Sequence, residues 1–215
     1  MFTDSSIQQD IEKELRWDPA VNPNHIAVTV KNSAAELHGD VDSYWEKCAA
    51  VRAAARVVHV KSVKDLLRVD LPFSSERPDD DIAFTAMTIL EWNAAVPATV
   101  EVSVANGVAT LSGTVAWHYQ REEAERAIAP LNGLRGIKND IRLTPAPAPA
   151  DVRGPIDEAL KRSALVDSSH VKAHVTNGVA SLRGTVRSLA EHAEAMHAAW
   201  AAPGVTLVED HIGIA

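Results

Sequence analysis

The sequence predicts an α+β protein of three tandem αββαβ units, each a three-stranded mixed sheet covered on one face by two helices. Three observations lead there. The phrase NGVATLSGTV at 106–115 returns, barely altered, as NGVASLRGTV at 177–186. Strict period-two alternation runs into each copy and out of it. Segments with helical spacing, acidic at the start or rich in alanine, flank the alternating stretches.

A phrase that returns at long spacing marks a repeat architecture. Gly113 lies 71 residues before Gly184. Gly39, in the worn copy VKNSAAELHGDV at 30–41, lies 74 residues before Gly113. The units are 1–72 (divergent), 78–144 and 150–215.

Each unit opens with a helix. Ile7, Ile11 and Leu15 follow Asp4; Ile82, Ala86, Ile89 and Leu90 follow Asp79–Asp81; Val152, Ile156 and Leu160 follow Asp151. These spacings put the apolar groups on one helical face. The leading carboxylates suit helix N-termini as caps and as partners of the macrodipole. Turn-forming loops come next: DPAVNPN, NAAVPA and ALVDSS.

Alternation then begins at Ile26-Ala27-Val28-Thr29-Val30, at Val100-Glu101-Val102-Ser103-Val104 and at Val171-Lys172-Ala173-His174-Val175. Period two means a strand with one buried face. Asn106-Gly107 and Asn177-Gly178 follow, the strongest short signal for a type I′ hairpin, with Asn32-Ser33 as a weaker version. The returning strands carry Gly39, Gly113 and Gly184. Glycine inside a strand weakens it, so its recurrence implies close approach of another backbone, which the sequence assigns to a helix. Alanine-rich second helices follow, expected to stop at Gly133 and Gly204, with His59 in that place in the first unit. The last strands carry Val63, Leu67 and Val69; Ile137, Ile141 and Leu143; and Val208, Ile212 and Ile214. A strand–helix–strand connection crosses over right-handed, making the second and third strands parallel.

The links differ. LPFSSERP at 71–78 is short and polar, whereas TPAPAPA at 144–150 favours an extended, semi-rigid spacer. The first two units are therefore expected to pair more tightly with each other than with the third.

Composition limits the function. The chain has 215 residues, a formal net charge of −8 and a pI near 5.6. That argues against general nucleic-acid binding, which needs a basic face. The single cysteine, Cys48, cannot form an intramolecular disulfide. The N-terminus has neither the basic nor the apolar region of a signal peptide. No stretch approaches about 18 uninterrupted apolar residues. The expected location is cytoplasmic.

The stretches VEVSVANGVATLSGTV with NGLRGIKNDIRL, and VKAHVTNGVASLRGTV with APGVTLVEDHIGI, resemble the BON domain, a module of osmotically inducible and envelope proteins. The first unit matches with gaps, lacking the Asn-Gly turn and the glycine before its last strand. The resemblance covers nearly the whole chain. It implies a non-enzymatic αββαβ module linked to phospholipid or membrane surfaces, osmotic stress, partner attachment and, in cytoplasmic members, binding of a small ion. The chain departs from envelope members in lacking a signal peptide or lipoprotein cysteine.

No phosphate-binding loop, nucleophile elbow or metalloprotease motif is present in the sequence. Cys48, in an alanine-rich helix, reads as a small buried hydrophobe. His170 with His174, and His192 with His197, lack the carboxylate or cysteine that would complete a metal set, and read as solvated. No cofactor or metal site is assigned. Trp17 and Trp92 each stand two residues beyond the last apolar anchor of a first helix. Each is either a lid on the helix end or an exposed contact aromatic. Trp45, Trp117 and Tyr119, at the start of the second helices, admit the same two readings. Arg52, Arg56, Lys61, Lys64 and Arg68 form the most basic region: a solvated face, or one attracted to an anionic surface. The expected function is a stress-linked binding or scaffold protein acting by protein contact or self-association, with an anionic phospholipid surface or a small ion as alternative ligands.

Overall fold

A computed structural model describes residues 3–144, 153–163 and 170–215 of the chain. Residues 145–152 and 164–169 lie outside it, and with them most of TPAPAPA, Asp151, Val152 and the loop ALVDSS.

The first repeat runs α1 (Asp4–Trp17), β1 (Ile26–Lys31), β2 (Ala34–Val41), α2 (Tyr44–Arg56) and β3 (Ser62–Val69). The second runs α3 (Asp79–Trp92), β4 (Val100–Ala105), β5 (Val108–Val115), α4 (His118–Ile128), β6 (Gly136–Asn139) and β7 (Arg142–Leu143). The third runs α5 (Arg153–Arg162), β8 (Val171–Thr176), β9 (Val179–Val186), α6 (Leu189–Trp200) and β10 (Leu207–Ile214). In every repeat the first two strands pair antiparallel and the second pairs parallel with the last. The sheets are mixed, with the second strand central.

Residues 1–115 with 120–142 form one compact unit, and residues 116–119 with 143–215 form another. The first two repeats therefore share a unit. Within it Arg135 reaches back from the second repeat to the end of the first. Its guanidinium donates to the Val69 carbonyl at 3.3 Å and lies 3.5 Å from the Glu76 carboxylate.

Each repeat has a small core between sheet and helices. In the first, Ile7, Ile11 and Leu15 of α1, Val28, Leu37 and Val41 of the sheet, and Ala50, Ala53 and Ala54 of α2 are buried. In the third, Ile156 and Leu160 meet Val171, Leu182, Val186 and Ala195. Alanine lets α2 and α6 lie close to the sheet.

The hairpin turns carry positive φ at both central residues: 52° and 63° at Asn32-Ser33, 53° and 74° at Asn106-Gly107, and 51° and 79° at Asn177-Gly178. That is the type I′ pattern, which matches strand twist. Ser33 adopts it despite its side chain.

Three local expectations change. The carboxylates expected to cap their own helices clamp the hairpins instead. Asp4 accepts from the Asn32 and Ser33 amides at 2.8 and 2.9 Å. Asp79 accepts from the Asn106 and Gly107 amides at 2.7 and 2.8 Å. Helix α1 is capped by Thr3 in a box with Ser6, and α3 follows Pro78, which offers no side-chain cap.

The strand glycines face no helix. A Cβ on Gly39, Gly113 or Gly184 would lie 1.9, 2.0 or 1.9 Å from the carbonyl oxygen of His25, Thr99 or His170. Those residues sit just ahead of the neighbouring first strand, and each glycine has positive φ. The glycine thus admits the incoming chain at the sheet edge.

Gly133 and Gly204 are not helix caps. Helices α4 and α6 end at Ile128 and Trp200, and the glycines serve later turns at φ 92° and 82°. His59 takes the same left-handed conformation at φ 68°.

Candidate functional site

The residues that tempt a catalytic reading are mostly structural. Lys47, Arg121 and His192 occupy the same position on the second helix of successive repeats. Each bridges to the same position on the last strand. Lys47 lies 3.2 Å from Asp65, Arg121 and Asn139 exchange side-chain-to-carbonyl bonds, and His192 meets Asp210 at 2.7 Å. His192 is therefore a strut and not a solvated position. Burial pushes the Asp210 carboxyl up, but the Ile212 amide and His192 outweigh it and leave it below the usual range. Asp65, Asn139 and Asp210 also each accept from the amide two residues on, at 3.0, 3.3 and 3.0 Å. In the second repeat the last strand breaks there into β6 and β7.

Two buried carboxylates, Glu46 and Glu191, staple loops to helix starts. Glu46 accepts from the Asn22 and Asp42 amides at 2.7 and 2.9 Å, and Glu191 from the Arg187 amide at 2.7 Å. Cys48 is half-buried in a cleft with Tyr44, Arg52 and Glu125, and is less enclosed than expected. Burial raises its thiol pKa, so the reactive thiolate is disfavoured. Among the described residues, no group of three or more His, Cys, Asp or Glu side chains could hold a metal.

Three of the five basic side chains in this region of the first repeat, Arg56, Lys64 and Arg68, are paired from within. Arg56 contacts Glu14 at 3.0 Å and Asp18 at 2.8 Å. Lys64 contacts Glu36 at 3.2 Å, and Arg68 contacts Asp40 at 3.0 Å. Arg52 stands 4.8 Å above the Trp45 ring. Arg52, held by a ring and not by a carboxylate, and the exposed Lys61 keep their charge.

What stays unspent is the outer face of α3. Its inner stripe, Ile82, Ala86 and Leu90, is buried. On other faces Phe84 is 67% exposed, Met87 45% and Trp92 86%. At 3.6 residues per turn, Phe84 projects opposite the buried stripe, with Met87 and Trp92 to either side. Beside Met87 a groove of about 500 Å³ runs between α3 and β4, walled by Leu90, Val96, Pro97 and Val100 and carrying Glu91 and Glu101.

Of the aromatics singled out in the sequence, Trp17 is 84% exposed at the end of α1, the counterpart of Trp92. Tyr119 is 52% exposed, and Trp117 is half-buried just ahead of α4. Neither Trp17 nor Trp92 is a lid. Phe84 and Met87 were not singled out. Their signal was available, since both fall off the Ile82–Ala86–Leu90 stripe of a helix that should be polar there.

The fold defines a tandem-repeat protein of three αββαβ modules. BON domains match at residues 3–70, 78–145 and 150–215, and the chain belongs to the BON domain family. It is 29% identical over 145 residues to the osmotically-inducible protein Y of Escherichia coli (strain K12), covering 62% of this chain and 72% of that protein. Two solved structures of CdsD, a structural protein of the type III secretion system of Chlamydia trachomatis, align at 17% identity with a TM-score of 0.27. One covers 100% of both chains, the other 96% of this chain and 91% of that one. Overlap that low carries no argument. No described helix is long and apolar enough to cross a membrane.

Proposed function

We propose that this chain is a non-enzymatic, stress-linked binding or scaffold protein that acts by protein–protein contact. The carrying observation is the exposed Phe84, Met87 and Trp92 on a single helix. Clustered large apolar side chains left in water mark interaction surfaces. Trp is also among the residues that dominate binding energy at interfaces. The stress link comes from the family and from the name of the osmotically-inducible relative.

A phospholipid surface suits this face less well. Asp79, Asp80 and Asp81 open α3, and Glu91 sits near its end. They would repel an anionic bilayer at contact range, inside the ~8 Å Debye length of physiological salt. The test compares wild type with Trp92→Ala by light scattering, partner capture and flotation on anionic liposomes. The variant is expected to lose captured partner, with little flotation by either protein. Strong wild-type flotation that the variant loses, at unchanged mass, would restore the lipid reading.

A further inference from the structure

Phe84, Met87 and the adjoining groove lie within a field of uncompensated negative charge. Helix α3 contains Asp79, Asp80, Asp81 and Glu91 and no Lys, Arg or His. Asp79 is engaged with the hairpin amides. Asp80, Asp81, Glu91 and Glu101 are exposed and have no ion-pair partner among the described residues. Glu91 and Glu101 both line the groove, which has no basic member. Residues 78–144 hold nine acidic and five basic side chains. The nearby Arg77 is turned away, donating to the Ser74 and Glu76 carbonyls at 2.8 and 2.7 Å.

We propose that the groove between α3 and the outer edge of β4 receives a cationic amphipathic segment of a partner protein. Apolar side chains of the segment fill the groove along Met87 and cover Phe84. Its flanking Lys or Arg side chains meet Asp80, Asp81, Glu91 and Glu101. The shape suits the helix-in-groove mode, in which anchors at i, i+3 or i+4 enter an apolar cleft. Complementary charge then selects the partner and speeds encounter. A second copy docking through α3 would set these carboxylates against their own likeness, and an anionic membrane meets the same repulsion. This inference rests on the protein-contact reading above and adds the site and the chemistry of the partner.

The test uses the full chain and a fluorescently labelled peptide with Leu and Lys at amphipathic helical spacing. The controls are a scrambled peptide of the same composition, a Leu/Glu counterpart, and phosphatidylglycerol vesicles. Fluorescence anisotropy should show binding of the Leu/Lys peptide, at least about tenfold weaker for the scrambled one, since its apolar face is lost. Met87→Ser should weaken binding about tenfold. Glu91→Lys with Glu101→Lys should weaken it similarly and admit the Leu/Glu peptide. All three side chains are exposed, and unchanged circular dichroism would confirm intact folding. Equal binding of the scrambled peptide would reduce the effect to net charge and overturn the proposal. Peptide binding that ignores both variants would overturn the site while leaving the protein-contact reading standing. Vesicle binding that depends on Met87, with no binding of either amphipathic peptide, would overturn both.

Discussion

Helices α1 and α3 hold the same place in successive repeats and turn the same three positions inward: Ile7, Ile11 and Leu15 in one, Ile82, Ala86 and Leu90 in the other. Outward they differ. Helix α1 answers its own charges: Lys13 bridges to Asp10 at 2.9 Å, Gln8 bonds to Glu12 at 3.1 Å, and Glu14 is held by Arg56. Its one large exposed hydrophobe is Trp17. Helix α3 shows Phe84, Met87 and Trp92 to water beside Asp80, Asp81 and Glu91, which have no ion-pair partner among the described residues. The repeat requires only the inner stripe and the aspartate that holds the hairpin. The outer face is free to vary, and there α3 shows apolar side chains to water where α1 shows mostly paired charges.

If the inner faces are equivalent, equal damage should cost alike. Leu15→Ala and Leu90→Ala should each destabilise its repeat by about 2–5 kcal/mol, the range for truncating a buried leucine. Urea unfolding followed by amide exchange within each repeat would measure it, and a neutral result for either would break the equivalence. The clamps come next. Asp4→Ala and Asp79→Ala each leave two turn amides without their charged acceptor. A loss of about 1–3 kcal/mol is expected, with faster exchange at Asn32 and Ser33 in one and at Asn106 and Gly107 in the other.

A smaller effect separates the helix ends. The Arg56 guanidinium, and then the Ala20 amide, hold the Asp18 carboxyl below its ordinary range. A carboxyl with a depressed folded pKa stabilises above its unfolded value, near 4, and that contribution is lost as pH falls through the folded one. The corresponding residue in the second repeat, Asn93, bonds instead to Glu123 at 3.1 Å and carries no charge to titrate. Acid titration of wild type against Arg56→Ala should therefore differ in the first repeat by at most about 1 kcal/mol, the scale of an exposed ion pair. The difference should disappear below the folded pKa of Asp18. Smallest in stability are Trp17→Ser and Trp92→Ser, each within about 0.5 kcal/mol as exposed substitutions. They sharpen the contrast by function, since only the change at Trp92 should reduce capture of a partner protein. Equal losses at both would make the two helix ends one kind of contact.

Much of this fold was legible in the sequence because its signals are local. Val28 and Val30, or Val102 and Val104, alternate within a strand, and Asn-Gly sets its turn from two residues. What was not legible depends on partners far along the chain. Asp79 looks like a helix-start carboxylate until Asn106 and Gly107 are folded against it. Gly113 announces a close approach, but only the tertiary structure says that the approaching atom is the Thr99 carbonyl oxygen. His192 looked solvated because its partner, Asp210, belongs to another element. The candidate site was half legible. Trp92 stands out by type, whereas Phe84 and Met87 are ordinary residues made conspicuous by the face they occupy.

The hairpin clamp also bears on how long the molecule lasts. An Asn-Gly pair is the weak link by which polypeptides age: the glycine nitrogen attacks the asparagine side-chain carbonyl, ammonia leaves, and the resulting succinimide opens to aspartate or isoaspartate. That attack needs a free, deprotonating backbone nitrogen. At Asn106-Gly107 the nitrogen's proton is held by the Asp79 carboxylate at 2.8 Å, and the turn is pinned at both central residues. The aspartate that shapes the turn is therefore expected to slow its chemical decay, and faster ammonia release by Asp79→Ala than by wild type would check it.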